Sequence, residues 1–83
     1  MKKMSLYYMP SCPYCVKVLN AMRELDLEAD IELRDKIAEP KHGRDLKAAT
    51  GIGMVPCLRI QEGTEDRWMH ESSDIVAYLR TLR

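Results

Sequence analysis

The sequence has no surplus of charge of either sign: thirteen Lys and Arg balance thirteen Asp and Glu, for a formal net charge of zero. Nucleic acid and anionic membrane surfaces are recruited through clustered positive charge, so neither is an expected partner. No apolar run approaches the ~20 residues a membrane-spanning helix needs. Repeats, low-complexity tracts and Gly/Ser linkers are missing too, which excludes solenoids and tethered modules. Met1-Lys2-Lys3 could open a signal peptide, but Pro10 interrupts the apolar stretch that follows and Cys12 comes directly after. No export signal is therefore expected, and the expectation is a soluble, monomeric, cytoplasmic protein. Cysteine is sparse: three residues, an odd number, are too few for a disulfide framework. Two of them form Cys12-Pro13-Tyr14-Cys15, a spacing that points to redox chemistry or metal binding. With 83 residues and 46% hydrophobic content, the chain can bury one core, so residues 1–83 are expected to form one domain.

Periodicity places that motif at a junction between two elements. Met4, Leu6 and Tyr8 alternate with Ser5 and Tyr7, which predicts a half-buried strand over about Lys3 to Met9. Pro10 and Ser11 break it. Cys15, Val18, Leu19, Met22 and Leu25 then recur at the spacing of one helical face, so the cysteine pair opens a helix. Ile31 and Leu33 suggest a second strand. Pro40 starts a second helix that Gly51 stops as a left-handed C-cap. Cys57 to Ile60 and Arg67 to His70 read as a hairpin about the polar turn Glu62 to Asp66. Ser72 is the expected N-cap of a last helix, with Asp74 in its first turn and Ile75, Val76, Leu79 and Leu82 as its buried stripe. The order βαβαββα predicts an α/β fold: a four-stranded mixed sheet with three helices covering both faces. Its first two strands should be parallel, which exposes the end of the first strand, and Cys12 with it, at the sheet edge where ligands usually bind.

The chemistry follows from that placement. A thiol is a poor nucleophile until ionised, and its pKa of ~8.5 can fall to roughly 3.5–7.5 at a helix N-terminus. There the unpaired backbone N–H groups and the positive end of the helix dipole favour the thiolate of Cys12. Pro13 suits the first turn because no N–H is needed there. Cys15, one turn further in on the apolar face, should be buried, less acidic and placed to close a disulfide onto Cys12. Cys12 is thus the expected nucleophile and Cys15 the resolving thiol.

The chain resembles the glutaredoxins, within the thioredoxin-like fold, along nearly its whole length. Cys12-Pro13-Tyr14-Cys15 looks like the dithiol glutaredoxin active site. Met54-Val55-Pro56 resembles that family's Thr-Val-Pro loop, whose proline is cis, and Glu71-Ser72-Ser73-Asp74-Ile75 sits where the family binds the γ-glutamyl end of glutathione. The resemblance implies that Pro56 presents the Val55 backbone to the cysteinyl part of glutathione as a strand-like pair. It implies further that Ser72 and Ser73 offer N–H groups and hydroxyls to a carboxylate, and that Tyr14 flanks the groove. Met9 stands where many glutaredoxins carry a lysine, and His70-Glu71 replaces their Gly-Gly. Glu71-Ser72, followed by Ile75 and Tyr78-Leu79, is also similar to the N-terminal domain of glutathione transferases, which bind glutathione at the same place. A transferase requires a second, all-helical domain, so the expectation is a glutaredoxin. Thioredoxin itself fits less well, because its Trp-Cys-Gly-Pro-Cys motif is absent.

The resemblance therefore implies an enzyme that uses glutathione as co-substrate, with no prosthetic group. It would reduce protein disulfides and glutathione mixed disulfides. Two alternatives remain open at this point: a dimer holding an iron–sulfur cluster through Cys12 and glutathione, and a thioredoxin-like carrier for a dedicated reductase. A structural zinc site would need ligands beyond the pair, and only Cys57, His42 and His70 are available. Cys57 reads as a small buried apolar residue, His42 as a solvated loop residue and His70 as structural. Lys17, Arg44 and Lys47 could meet a glutathione carboxylate, but a solvated helix face is the simpler role for each.

Overall fold

The computed structural model describes residues 2–83. Seven elements follow in the predicted order: β1 (Lys2–Tyr8), α1 (Pro13–Glu24), β2 (Ile31–Asp35), α2 (Pro40–Thr50), β3 (Cys57–Glu62), β4 (Glu65–Met69) and α3 (Ser72–Arg80). The sheet runs β2-β1-β3-β4. β1 pairs parallel with β2, through registers such as Leu6 with Leu33, and antiparallel with β3, where Leu6 meets Leu58. β3 and β4 form the hairpin. A parallel pair cannot be joined by a tight turn, and α1 is the crossover that joins this one.

α1 and α3 pack together on one face of the sheet. Val18, Ala21 and Met22 of α1 meet Met4 and Leu6 of β1, Leu58 and Ile60 of β3, and Ile75, Val76 and Leu79 of α3 in one core. Each leucine or isoleucine fully buried there contributes about 1.5–3 kcal/mol of hydrophobic stabilisation. α2 covers the other face with a smaller cluster of Tyr7, Leu46 and Cys57, against which Val55 and Trp68 pack. Leu46 is the one buried residue of α2, so this layer is thinly anchored.

Several boundaries differ from the sequence expectation. β1 is buried on both faces, Met4, Ser5, Leu6 and Tyr7 alike, because it lies between two strands with helices above and below. The hairpin turn shrinks to Gly63 and Thr64, since Glu62 already pairs with Glu65 and Gly63 supplies a positive φ of 61°. Glu71, not Ser72, is the N-cap of α3, and no side chain caps that end. Ser72 is the first helical residue instead. α3 stops at Arg80, and Leu82 reaches the core from a tightened last turn through Leu82 N–H donating to Leu79 O at 3.0 Å. α2 ends as expected, with Gly51 left-handed at φ 82° and its N–H on the Lys47 carbonyl at 2.8 Å. No helix among the described residues is long and apolar enough to cross a membrane.

Candidate active site

Everything at this site follows from how α1 begins. The chain leaves β1 at Tyr8 and turns over Pro10, where Cys12 N–H donates to Met9 O at 3.2 Å. Cys12 takes the extended N-cap conformation (φ −82°, ψ 120°). Its carbonyl accepts the first helical bond from Val16 N–H at 3.0 Å, and Pro13 occupies the first turn, where its missing N–H costs nothing. No side chain caps this end, so the free amides of the first turn face the Cys12 sulfur.

The two thiols of the motif are driven in opposite directions. Burial pushes Cys12 up, but N–H groups of Cys15 and Tyr14 and the Cys15 thiol donate to its sulfur, and the net result lies below an ordinary thiol. Cys15 is fully buried. Burial pushes it up to about 11; the Met9 amide and the Lys36 ammonium lower it, while the hydrogen bond to Cys12 and the charge of that sulfur raise it. Cys12 remains partly accessible, and both cysteines are free thiols. The arrangement provides an accessible, acidified sulfur beside a protected one in hydrogen-bond reach, the division of labour that thiol–disulfide exchange requires.

Tyr14, in the first turn of α1, lines an open groove of about 250 Å³ together with Met54, Val55, Pro56, His70, Glu71 and Ser72; Cys12 itself is not among the lining residues. Four residues expected at a glutathione site from the sequence, Tyr14, Val55, Pro56 and Ser72, thus come from three separate stretches to one place. Tyr14 is 66% exposed and forms the rim. The Val55–Pro56 peptide bond is cis, and Val55 lies ahead of the β3 ladder, outside its pairing registers. Ser72 opens α3, whose first amides have no helical partners and point along the helix axis towards its N-terminal end. Ser73 is exposed on the first turn of α3 and does not line the groove. Lys17, Arg44 and Lys47 do not line it either.

Three residues carry more than their sequence context suggested. His70 lines the groove, and its Nε2 lies 3.9 Å from the Cys57 sulfur. It therefore has a neighbour that only strand pairing supplies. Cys57 is fully buried, as expected, and burial holds its thiol up at about 12, which makes it inert at neutral pH. His42 is not in a loop: it is part of α2, half-buried, with its ring edge-on to Tyr7 and its Nε2 3.6 Å from Glu39. Lys36, unmarked by any sequence pattern, reaches the Gly53 carbonyl at 3.2 Å. Among the described residues no three His, Cys, Asp or Glu side chains converge as a metal-ligand cluster.

In fold the chain is similar to glutathione transferase Omega 2S from Trametes versicolor, with a TM-score of 0.77 at 18% identity over 99% of this chain and 37% of that one. A glutathione transferase homologue from Sulfitobacter with bound glutathione gives 0.72 at 23% identity, over 99% and 38%. The glutaredoxin from Brucella melitensis gives 0.59 at 19%, over 95% and 79%. The fold is thus the thioredoxin-like α/β fold, and the chain spans about a third of the length of the transferases it matches. A search among curated proteins finds no match. The likeness visible in the last helix extends well beyond it: the family model described as glutathione S-transferase, N-terminal domain, matches residues 11–82. On that match, from one residue before Cys12 to one residue short of the C-terminus, the chain belongs to the glutathione S-transferase N-terminal domain family.

Proposed function

We propose that this protein is a glutathione-dependent thiol–disulfide oxidoreductase, with Cys12 as nucleophile and Cys15 as resolving thiol. The observation that carries the reading is the geometry at the start of α1, where Cys12 is a partly accessible N-cap thiol and Cys15 is fully buried one turn further in; it holds Cys12 below an ordinary thiol and pushes Cys15 up to about 11. A transferase that only activates glutathione has no use for a second, protected thiol one helical turn away. Glutathione as co-substrate is supported by the groove that Tyr14 of the Cys12-Pro13-Tyr14-Cys15 motif lines and by the glutathione bound to the Sulfitobacter homologue. In this reading Tyr14 forms the rim, the Val55 backbone ahead of Pro56 pairs with the cysteinyl part of glutathione, and the amides of Ser72 and Ser73 take its γ-glutamyl carboxylate.

The reaction starts when the Cys12 thiolate attacks the glutathione sulfur of a glutathionylated protein. The protein thiolate leaves and takes a proton from water, and glutathione stays on Cys12 as a mixed disulfide. Free glutathione then attacks the bound glutathione sulfur, leaving as glutathione disulfide with the Cys12 thiolate restored, or Cys15 attacks the Cys12 sulfur, closes the Cys12–Cys15 disulfide and expels glutathione as its thiolate, which takes a proton from water. No prosthetic group enters either route. Its substrates are disulfide-bonded and glutathionylated proteins, and it acts on them as a monomer. A reducing compartment, the cytosol, suits three free thiols.

The test is a pair of variants assayed on two substrates. Cys12→Ser abolishes turnover of both a glutathionylated peptide and a protein disulfide. Cys15→Ser keeps deglutathionylation and loses reduction of the protein disulfide; equal loss in the two variants refutes the assignment. Recycling by glutathione with glutathione reductase, compared with recycling by a thioredoxin reductase, identifies the electron donor.

A further inference from the structure

We propose that the free edge of β2 pairs with the same edge of a second copy of this chain, in an antiparallel register centred on Leu33. The pairing goes beyond the oxidoreductase reading and does not depend on it.

β2 is an outer strand of the sheet, so only one of its two edges meets β1. The N–H of Lys36, one residue beyond the strand, donates inward to Tyr8 O at 3.0 Å. Backbone groups alternate between the two edges of a strand, which turns those of Arg34 and Glu32 inward as well and those of Ile31, Leu33 and Asp35 outward. Among the described residues no backbone bond outside the strand ladders takes the Leu33 N–H or C=O. Alongside this edge runs an open groove of about 390 Å³, between Glu32, Leu33 and Arg34 of β2 and the first turns of α2. An outer strand with free amides and room beside it is a template for one more strand.

The side chains of β2 select its own copy as that strand. A two-fold axis pairs residue i of one chain with residue j of the other, and j with i. Centred on Leu33, it sets Glu32 of each chain opposite Arg34 of the other on the face that α2 covers. Glu32 and Arg34 already form an ion pair within the strand at 2.5 Å, so the pairing closes a ring of four alternating charges. On the opposite face Leu33, 47% exposed in the single chain, meets its own copy. Two bonds then join the Leu33 residues, and each Asp35 N–H donates to the Ile31 carbonyl of the other chain. Opposite charges and apolar pairs directly across two strands are stabilising, and like charges there are destabilising. Moving the centre to Glu32 or Arg34 sets like charges face to face. β4, the other outer strand, has Arg67 at its middle, and the same symmetry there sets arginine against arginine. Five residues a side make a small interface, so the pair is weak and forms at high protein concentration. No residue of β2 lines the groove of Tyr14 and Pro56, and each chain therefore still works alone on its substrates.

The test keeps the protein reduced, so that no disulfide links two chains, and follows its mass by sedimentation from micromolar to millimolar concentration. The native protein moves from the mass of one chain towards that of two. Over the same series, hydrogen exchange at the amides of Leu33 and Asp35 slows several-fold, a measurement that needs no variant. Leu33→Lys and Leu33→Glu, at a position the fold leaves half-exposed, each stay at the mass of one chain, and their equimolar mixture regains the mass of two. A native protein that remains a single chain at millimolar concentration overturns the proposal. So does association that Leu33→Lys leaves intact, which marks another surface, or a mixture that fails to pair while both variants keep the native circular dichroism. Exchange that slows at Leu33 and Asp35 only when a foreign disulfide-bonded protein is added gives the edge to another strand, and overturns it equally.

Discussion

Selective alkylation of Cys12 over Cys15 is the sharpest test of the site, and its size follows from the two sulfurs' surroundings. At about pH 7 a thiol of about 11, the Cys15 value, is ionised in roughly one molecule in ten thousand. An ordinary thiol at 9.0 would be ionised in roughly one in a hundred, and Cys12 lies lower still. The thiolate ratio therefore favours Cys12 by at least about a hundredfold. Nucleophilicity runs the other way, because a more basic thiolate attacks faster; over this gap a Brønsted slope of about 0.4–0.5 returns a factor of roughly 6–10 to Cys15. At least about tenfold selectivity for Cys12 remains, before the full burial of Cys15 is counted. The assay is a time course with iodoacetamide on the reduced protein, with peptide mass spectrometry locating the label. The rate at Cys15 should keep climbing about tenfold per pH unit up to about 11, while the rate at Cys12 levels off at lower pH. Comparable labelling of the two sulfurs at neutral pH, or a Cys12 rate that levels off no earlier than that of an unfolded thiol, refutes the reasoning.

The remaining predictions concern the scaffold. Cys57 prefers its neutral form in the fold, so its contribution to stability is complete below the ordinary thiol value of 9.0 and is lost as pH rises towards about 12. Relative to Cys57→Ala, the native protein should lose up to about 1.4 kcal/mol per pH unit across that window. Urea denaturation of both proteins at a series of alkaline pH values checks this, and parallel stability curves contradict it. Leu46→Ala removes the one buried anchor of α2 and should cost about 2–5 kcal/mol, read from the urea midpoint; a cost below about 1 kcal/mol would mean α2 is held by other contacts. Gly51→Ala places a side chain at φ 82° and should cost about 1–2 kcal/mol through backbone strain alone, since nothing lies within 4 Å of an added Cβ. A neutral result in thermal unfolding would count against the left-handed cap.

Much of the site was legible because its residues carry local signatures. Cys12-Pro13-Tyr14-Cys15 shows its chemistry in its spacing, and the helix it opens is written in Val18, Leu19 and Met22. The Met54-Val55-Pro56 loop and Ser72 were legible through resemblance, and the structure brings both to the groove beside Tyr14. The departures have two causes, partners far along the chain and boundaries that local signals place only to within a residue or two. His70 had no sequence neighbour to pair with, yet the β3/β4 hairpin carries it to Cys57. His42 falls inside the helix expected from Pro40, and only the fold shows its ring half-buried against Tyr7 and beside Glu39. Ser72 has the right chemistry for an N-cap, but the helix starts one residue earlier in phase and Glu71 takes that place. Lys36 is one of six lysines in the sequence, and only its side-chain bond to the Gly53 carbonyl sets it apart.

From the sequence by itself came the element order, the mixed sheet and the position of a nucleophilic cysteine at a helix start. These depend on periodicity, turn chemistry and capping, which act over a few residues. The sequence already pointed to Cys12 as the acidified thiol, and only the tertiary structure supplied how completely Cys15 is buried and which groups act on the two sulfurs. It alone also assembled the groove from α1, the loop before β3 and the start of α3. Acidity and recognition depend on which groups meet in space, and a sequence orders groups along a chain without specifying how far apart they finally lie.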